Sequence, residues 1–120
     1  VIPAGGMSTQ VRLELLRNSG ASVVCCTPSY ALHMAEVAAE RKLDLRAIGI
    51  RTFVLAGEPG GSVPAVRATI ERAWEARVVD HAGASEVGPW GFGDYSGDGL
   101  YILECDFIAE FLSVETGAPA

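Results

Sequence analysis

Residues 20–42 read GASVVCCTPSYALHMAEVAAERK, and this stretch decides the fold. Ala21 to Cys26 is a short continuous apolar run, bounded by Gly20 and Pro28. Runs of that length and bounding are expected of a buried strand in a parallel sheet. Thr27 and Pro28 follow as the N-cap and first residue of a helix: the hydroxyl accepts a free N–H and the proline ring presets φ. The helix is expected to run through Lys42, with Leu32, Ala35, Val37, Ala38 and Ala39 forming a small-residue face for close packing. Cys25 and Cys26 continue Val23-Val24, so they are expected to be buried strand residues. No C-x-x-C spacing suggests zinc or a redox pair.

Working outward, Ser8 is a good N-cap for the helix TQVRLELLRN, whose apolar positions are Val11, Leu13, Leu15 and Leu16. Gly20 stands where a left-handed C-terminal residue belongs. Downstream, the turn-like LDLRAIG leads to a second apolar run, IRTFVLAG, then EPGGS and a helix over VPAVRATIERAWEA. That helix is expected to be capped by Ser62, with Trp74 on its apolar side. A third short strand, RVVDH, follows at 77–81. Strands alternating with helices at this spacing predict βαβ units with right-handed crossovers. The fold class is therefore α/β, part of a parallel sheet with flanking helices. Beyond Gly99, LYILE and FIAEFLSV predict antiparallel strands. No internal boundary divides residues 1–120, and the opening VIPAGG and closing TGAPA suggest a piece of a longer protein.

The 120 residues are 49% hydrophobic and 20% charged, with a formal net charge of −6. No basic cluster interrupts the acidic balance, which argues against nucleic acid and against an anionic membrane. No apolar run reaches transmembrane length and no signal peptide is evident, so a cytoplasmic setting is expected.

In an open parallel sheet, ligands bind beyond the carboxyl ends of the strands. Two segments belong there: Ala56 to Ser62, and Asp80 to Asp94. They leave successive strands at one edge and should face each other across a crevice. The first, GEPGGS, matches no phosphate-loop motif and is equally explained as a tight connection. The second lies within VVDHAGASEVGPWGFGD (residues 78–94), which shows no period of 2 or 3.6 and reads as a loop. Asp80, His81, Ser85 and Glu86 could coordinate metal, accept protons or bind phosphate. A Ser85–His81–Asp80 triad is disfavoured, because Ser85 has no G-x-S-x-G elbow and sequence neighbours seldom meet in triad geometry. A carboxylate beside a hydroxyl better suits Mg²⁺ and a phosphate oxygen; a solvated surface loop is the plain alternative. His33 reads as a helix-surface residue. Tyr30 reads as a pocket wall or a packing aromatic.

Together, VIPAGGMST, CCTPSYALHMAEVA, LAGEPGGSVPAVRATIE and DHAGASEVGPWGF resemble the phenylacetate–CoA ligase branch of the adenylate-forming enzymes. The likeness covers essentially the whole chain, in order. It implies the central part of a large AMP-binding domain, in an enzyme that activates an aryl or acyl carboxylate with Mg·ATP and passes it to CoA. By the resemblance, Ser85 would bond the α-phosphate and Glu86 would bind Mg²⁺. Gly57, Glu58 and Pro59, with Asp80, His81, Ala82 and Gly83, would border the nucleotide. Tyr30, Gly83, Val87, Gly88 and Pro89 would border the acid. The full-length protein could be a homodimer. This chain departs from the pattern at Ala82, where an aromatic usually stacks on adenine. It also departs at Asp94 and Tyr101, where some relatives place structural-metal ligands. The resemblance further implies that the segment alone does not catalyse adenylation. A non-catalytic nucleotide- or acyl-adenylate-binding module of the same fold is the alternative.

Overall fold

The computed structural model describes residues 5–120; the opening of the VIPAGG stretch lies outside the described residues. The element order is α1 (Thr9–Ser19), β1 (Val23–Cys26), α2 (Pro28–Glu40), a short 3₁₀ turn (Arg46–Ile48), β2 (Thr52–Leu55), α3 (Pro64–Trp74), β3 (Arg77–Ala84), β4 (Gly88–Phe92) and β5 (Tyr101–Ile102). The five strands form one sheet in the order β1-β2-β3-β4-β5. β1, β2 and β3 run parallel, with Cys25, Val54 and Val79 in register. β4 and β5 continue antiparallel. The α/β class and the antiparallel end are as the sequence predicts.

The helix signals resolve as local hydrogen bonds. Ser8 Oγ accepts from Val11 N, and Gly20 closes α1 at φ 65°. Thr27 Oγ1 accepts from Tyr30 N at 3.3 Å, ahead of Pro28. Ser62 does not cap α3. Val63 occupies the N-cap without a side-chain bond, because Pro64 fixes the first helical position one residue later than a Ser62 cap requires.

The core lies on one face of the sheet. Leu13 and Leu16 of α1, Ala31, Met34 and Ala38 of α2, and Ile70 and Trp74 of α3 close over Phe53, Leu55 and Val78. Successive strand residues point to opposite faces, so Val24 and Cys26 join this layer while Val23 and Cys25 do not. Among the described residues the strands are covered on this face only: Val23 and Cys25 are exposed and Val54 is half-buried. In α2 the packed stripe runs through Ala31, Met34 and Ala38, leaving Ala39 in solvent. Trp74 is buried as expected. It meets Phe53 edge-on, with ring centroids 4.9 Å apart, and donates its indole N–H to Ala31 O at 3.2 Å.

Two strand assignments change. The stretch read as a loop is a β-hairpin: β3 runs on to Ala84 and pairs with β4, with an irregularity between Ala82 and Gly83. At the other end, FIAEFLSV forms no strand. Leu112 makes one isolated bridge to Pro119, and Ile108 and Val114 are 95% and 103% exposed. Apolar alternation makes a strand only where a neighbour pairs along its length; here the backbone bonds are those of a local turn, Ser113 N to Ala118 O and Ala120 N to Phe111 O, each 2.8 Å.

The loop after β4 is tied back to the α/β layer. Arg67 Nη2 donates to Tyr95 O at 2.9 Å and pairs through Nε with Glu71 at 3.4 Å. The cation of Arg77 lies 4.8 Å from the Tyr95 ring centre.

Between β2 and α3, Gly60 packs against the proline that starts α2. A Cβ added there would sit 2.5 Å from Pro28 Cβ and 2.7 Å from its Cγ. Pro28 is itself buried and cannot retreat. Gly60→Ala is therefore expected to destabilise the domain by about 2 kcal/mol or more. The check is the chemical-denaturation midpoint of the full-length protein, and an unchanged midpoint would remove this packing argument.

Candidate active site

The parallel strands end where the site forms. Past Cys26, Leu55 and Asp80, the chain leaves as the Thr27-Pro28 helix start, the Ala56–Ser62 connection and the hairpin. A cleft of about 610 Å³ opens at this edge. Ala56 and Gly57 meet Gly83, Ala84, Ser85, Gly88 and Pro89 across it, and Cys25, Cys26, Thr27, Val54 and His81 complete the lining. The crevice expected between the two connections is thus present.

The hairpin explains how Ser85 and Glu86 are presented. Val87 N donates to Ala84 O at 3.3 Å, closing a three-residue turn, and Gly88 follows at φ 81°. A turn completed by a left-handed glycine is a common way to join antiparallel strands. Ser85 and Glu86 occupy its tip, both exposed. Gly83 is held close to β4, where an added Cβ would lie 3.1 Å from Gly88 O and from Pro89 Cα.

Alternation along β3 separates the other candidates. His81 lines the cleft, whereas Asp80 faces the α/β layer. There its carboxylate abuts Gly61, at which an added Cβ would lie within contact distance of Asp80 Cβ and Cγ. Asp80 Oδ1 accepts from the backbone N–H of His81 at 3.1 Å. The imidazole is not part of that contact, so Asp80, His81 and Ser85 form no triad. Ala82 and Val87 are outside the cleft lining as well. Tyr30 lines a second cleft of about 510 Å³ that shares Cys25, Cys26 and Thr27 with the first. Its hydroxyl lies 3.3 Å from Thr9 Oγ1.

Glu58 and Pro59 are exposed and also outside the lining. Glu58 Oε1 accepts from Ser29 N at 2.7 Å, so it holds a free amide in the first turn of α2. Hydrogen bonds from the Ser29 side chain and backbone keep its carboxyl below the usual carboxylate range. His33 is a surface residue, 4.0 Å from Glu36.

Sequence reasoning missed Cys25, Cys26, Val54 and Ala84 as cleft residues. The available signal was position: Cys25 and Val54 lie near the carboxyl ends of β1 and β2, on the face the helices leave open. Burial, with Cys25 beside it adding, pushes the Cys26 thiol up to about 12, so it stays protonated at neutral pH. At the rim of the sheet, Tyr101 donates to Asp94 Oδ2 at 3.2 Å. Asp94 and Tyr101 are therefore joined directly. Asp94 also accepts from the Ser96 side chain and N–H, and these bonds lower its pKa; its charge in turn raises that of Tyr101. Among the described residues, no group of three or more His, Cys, Asp or Glu side chains could hold a metal ion, and no helix is long and apolar enough to cross a membrane.

With this geometry in view, likeness to known proteins is informative. No family model matches the chain. The phenylacetate–coenzyme A ligase of Escherichia coli (strain K12) is 33% identical over 124 residues, covering 99% of this chain and 28% of the relative. That of Thermus thermophilus is 28% identical over 122 residues, covering 99% of this chain and 27% of the relative. A crystal structure of 2-hydroxyisobutyryl-CoA ligase in an open conformation, with 2-HIB-AMP and CoA, superposes with a TM-score of 0.71 at 38% identity. That superposition covers 82% of this chain and 24% of the ligase. The chain is homologous to CoA ligases of the adenylate-forming superfamily. It spans about a quarter of the length of the phenylacetate–coenzyme A ligases it matches.

Proposed function

We propose that the full-length protein is an AMP-forming acid–CoA ligase that activates an aryl or acyl carboxylate with ATP and transfers the acyl group to CoA. Residues 1–120 would be the central part of its AMP-binding domain, working in the cytoplasm. The observation carrying this reading is the cleft at the carboxyl ends of three parallel strands, lined by Ser85, with Glu86 exposed beside it at the turn but outside the lining. The homologous 2-hydroxyisobutyryl-CoA ligase binds an acyl-adenylate and CoA, which supports extending both ligands to this protein.

The first step needs a carboxylate held in line with the α-phosphate, and charge neutralisation at phosphorus. Ser85 Oγ would donate to an α-phosphate oxygen. Gly57 would let backbone approach the nucleotide closely, with His81 and Gly83 across the cleft; Glu58, Pro59, Asp80 and Ala82, which the resemblance also places at the nucleotide, lie outside the lining. Gly83, Val87, Gly88, Pro89 and Tyr30 would border the acid.

Mg²⁺ fits the donor set at the turn. Glu86 offers an exposed carboxylate beside the Ser85 hydroxyl, and Mg²⁺ commonly takes one or two carboxylates with the rest from water and phosphate. When bound, the ion would neutralise phosphate charge. Glu86 would hold it and Ser85 would fix the phosphate beside it.

The test is acid-dependent ATP–pyrophosphate exchange by the purified full-length protein, followed by CoA-dependent release of AMP. Exchange with at least one carboxylic acid is expected. AMP binding by calorimetry with no exchange for any acid would replace this reading with a non-catalytic nucleotide-binding module, the alternative suggested by Ala82.

A further inference from the structure

Two connections run side by side at the carboxyl edge of the sheet. Ala56 N donates to Cys26 O at 3.1 Å. Gly57, at φ 91°, packs on Thr27: a Cβ added there would lie 3.4 Å from Thr27 Cγ2. Glu58 accepts from Ser29 N at 2.7 Å, and Gly60 packs on Pro28. The link from β2 to α3 is thus laid along the start of α2, contact by contact. Its first two residues, Ala56 and Gly57, are cleft wall, as is Thr27.

Among these four contacts, the Glu58 bond is the one made by a polar side chain of the link. A carboxylate that accepts an N–H at a helix start gains from its charge and from the aligned peptide dipoles. The Ser29 hydroxyl, and less strongly that of Thr27, add to the hold. Glu58 stands next to Gly57, whose backbone has the widest freedom in the link. A wall already fixed in the free protein needs no ordering when a ligand arrives, so a tie made outside the cleft is felt as affinity inside it.

We infer that Glu58 is a positioning residue for nucleotide binding, whose bond to the first turn of α2 fixes the wall formed by Ala56 and Gly57; this rests on the nucleotide reading of the cleft above. Its carboxylate touches α2 and not the ligand.

The experiment is calorimetric titration of the full-length protein with AMP, 2′-deoxy-AMP, 3′-deoxy-AMP and IMP. Glu58→Ala is expected to weaken AMP binding by about tenfold or more. Glu58→Gln, whose amide oxygen can still accept from Ser29 N, should stay within about threefold of the unmutated protein. Because the tie acts on the wall and not on a group of the ligand, Glu58→Ala should weaken all four nucleotides by the same factor. A loss that disappears for one analogue would mean that Glu58 contacts the altered group, and would overturn the inference. Unchanged affinity in Glu58→Ala, even with a lowered denaturation midpoint, would overturn it too, leaving Glu58 a helix cap only. So would Glu58→Gln as impaired as Glu58→Ala. Failure of the unmutated protein to bind any of the four would instead sink the nucleotide reading itself.

Discussion

Glu86→Gln in the full-length protein is expected to lower acyl-adenylate formation by about two to three orders of magnitude, the scale seen when one electrostatic group is removed from a reacting site. Glutamine keeps the shape and length of the side chain and removes its charge. Glu86 is exposed at the tip of the β3–β4 turn. The turn is closed by the Val87 N to Ala84 O bond and completed by Gly88, neither of which uses the carboxylate. The fold should therefore be untouched while the proposed hold on Mg²⁺ is lost. Exchange kinetics give the rate, and an unchanged denaturation midpoint shows that the loss is chemical. Unaltered exchange would remove Glu86 from the mechanism.

Trp74→Ala should have the largest effect on stability, about 3–5 kcal/mol. Trp74 is 1% exposed and closes the layer between α2, α3 and β2. Its loss empties a space that Phe53, packed edge-on to it, cannot refill without leaving its own position. The indole bond to Ala31 O disappears at the same time. Trp74→Phe keeps much of the ring and should cost clearly less. Denaturant titration of both full-length variants checks this, and a shift in Trp74→Ala worth less than about 1 kcal/mol would mean that the layer is not cooperative with the rest.

The helices were legible because their signals are local. Ser8, Thr27-Pro28 and Gly20 each act within one turn, through bonds that no distant residue alters. The hairpin was not legible, for two reasons. Four glycines in residues 78–94 erase side-chain alternation, and the irregularity between Ala82 and Gly83 breaks the register of what remains. With β3 read as ending at His81, nothing distinguished the faces on which Asp80, His81 and Ala82 fall. Once the strand runs to Ala84, alternation sends His81 to the cleft and Asp80 to the α/β layer. The continuous apolar runs misled differently. Val23, Cys25 and Val54 are apolar although the helices do not cover them, so their composition implied burial that the described residues do not provide. That the two connections face each other followed from their leaving the same sheet edge, whereas Gly57, Gly83, Gly88 and Pro89 within them were singled out by the family resemblance.

The one-sided core has a consequence for how such a domain tolerates change. Along β1, β2 and β3, every second side chain answers to the helices, and the intervening ones answer to whatever occupies the open side. Phe53, Leu55 and Val78 are therefore under one selection, while Cys25, Val54 and His81 are under another. Because neighbours in sequence belong to different constraints, drift at the second set need not draw on the margin held by the first. Substitutions on the open side can be explored one strand position at a time, with the fold's tolerance to mutation left almost intact.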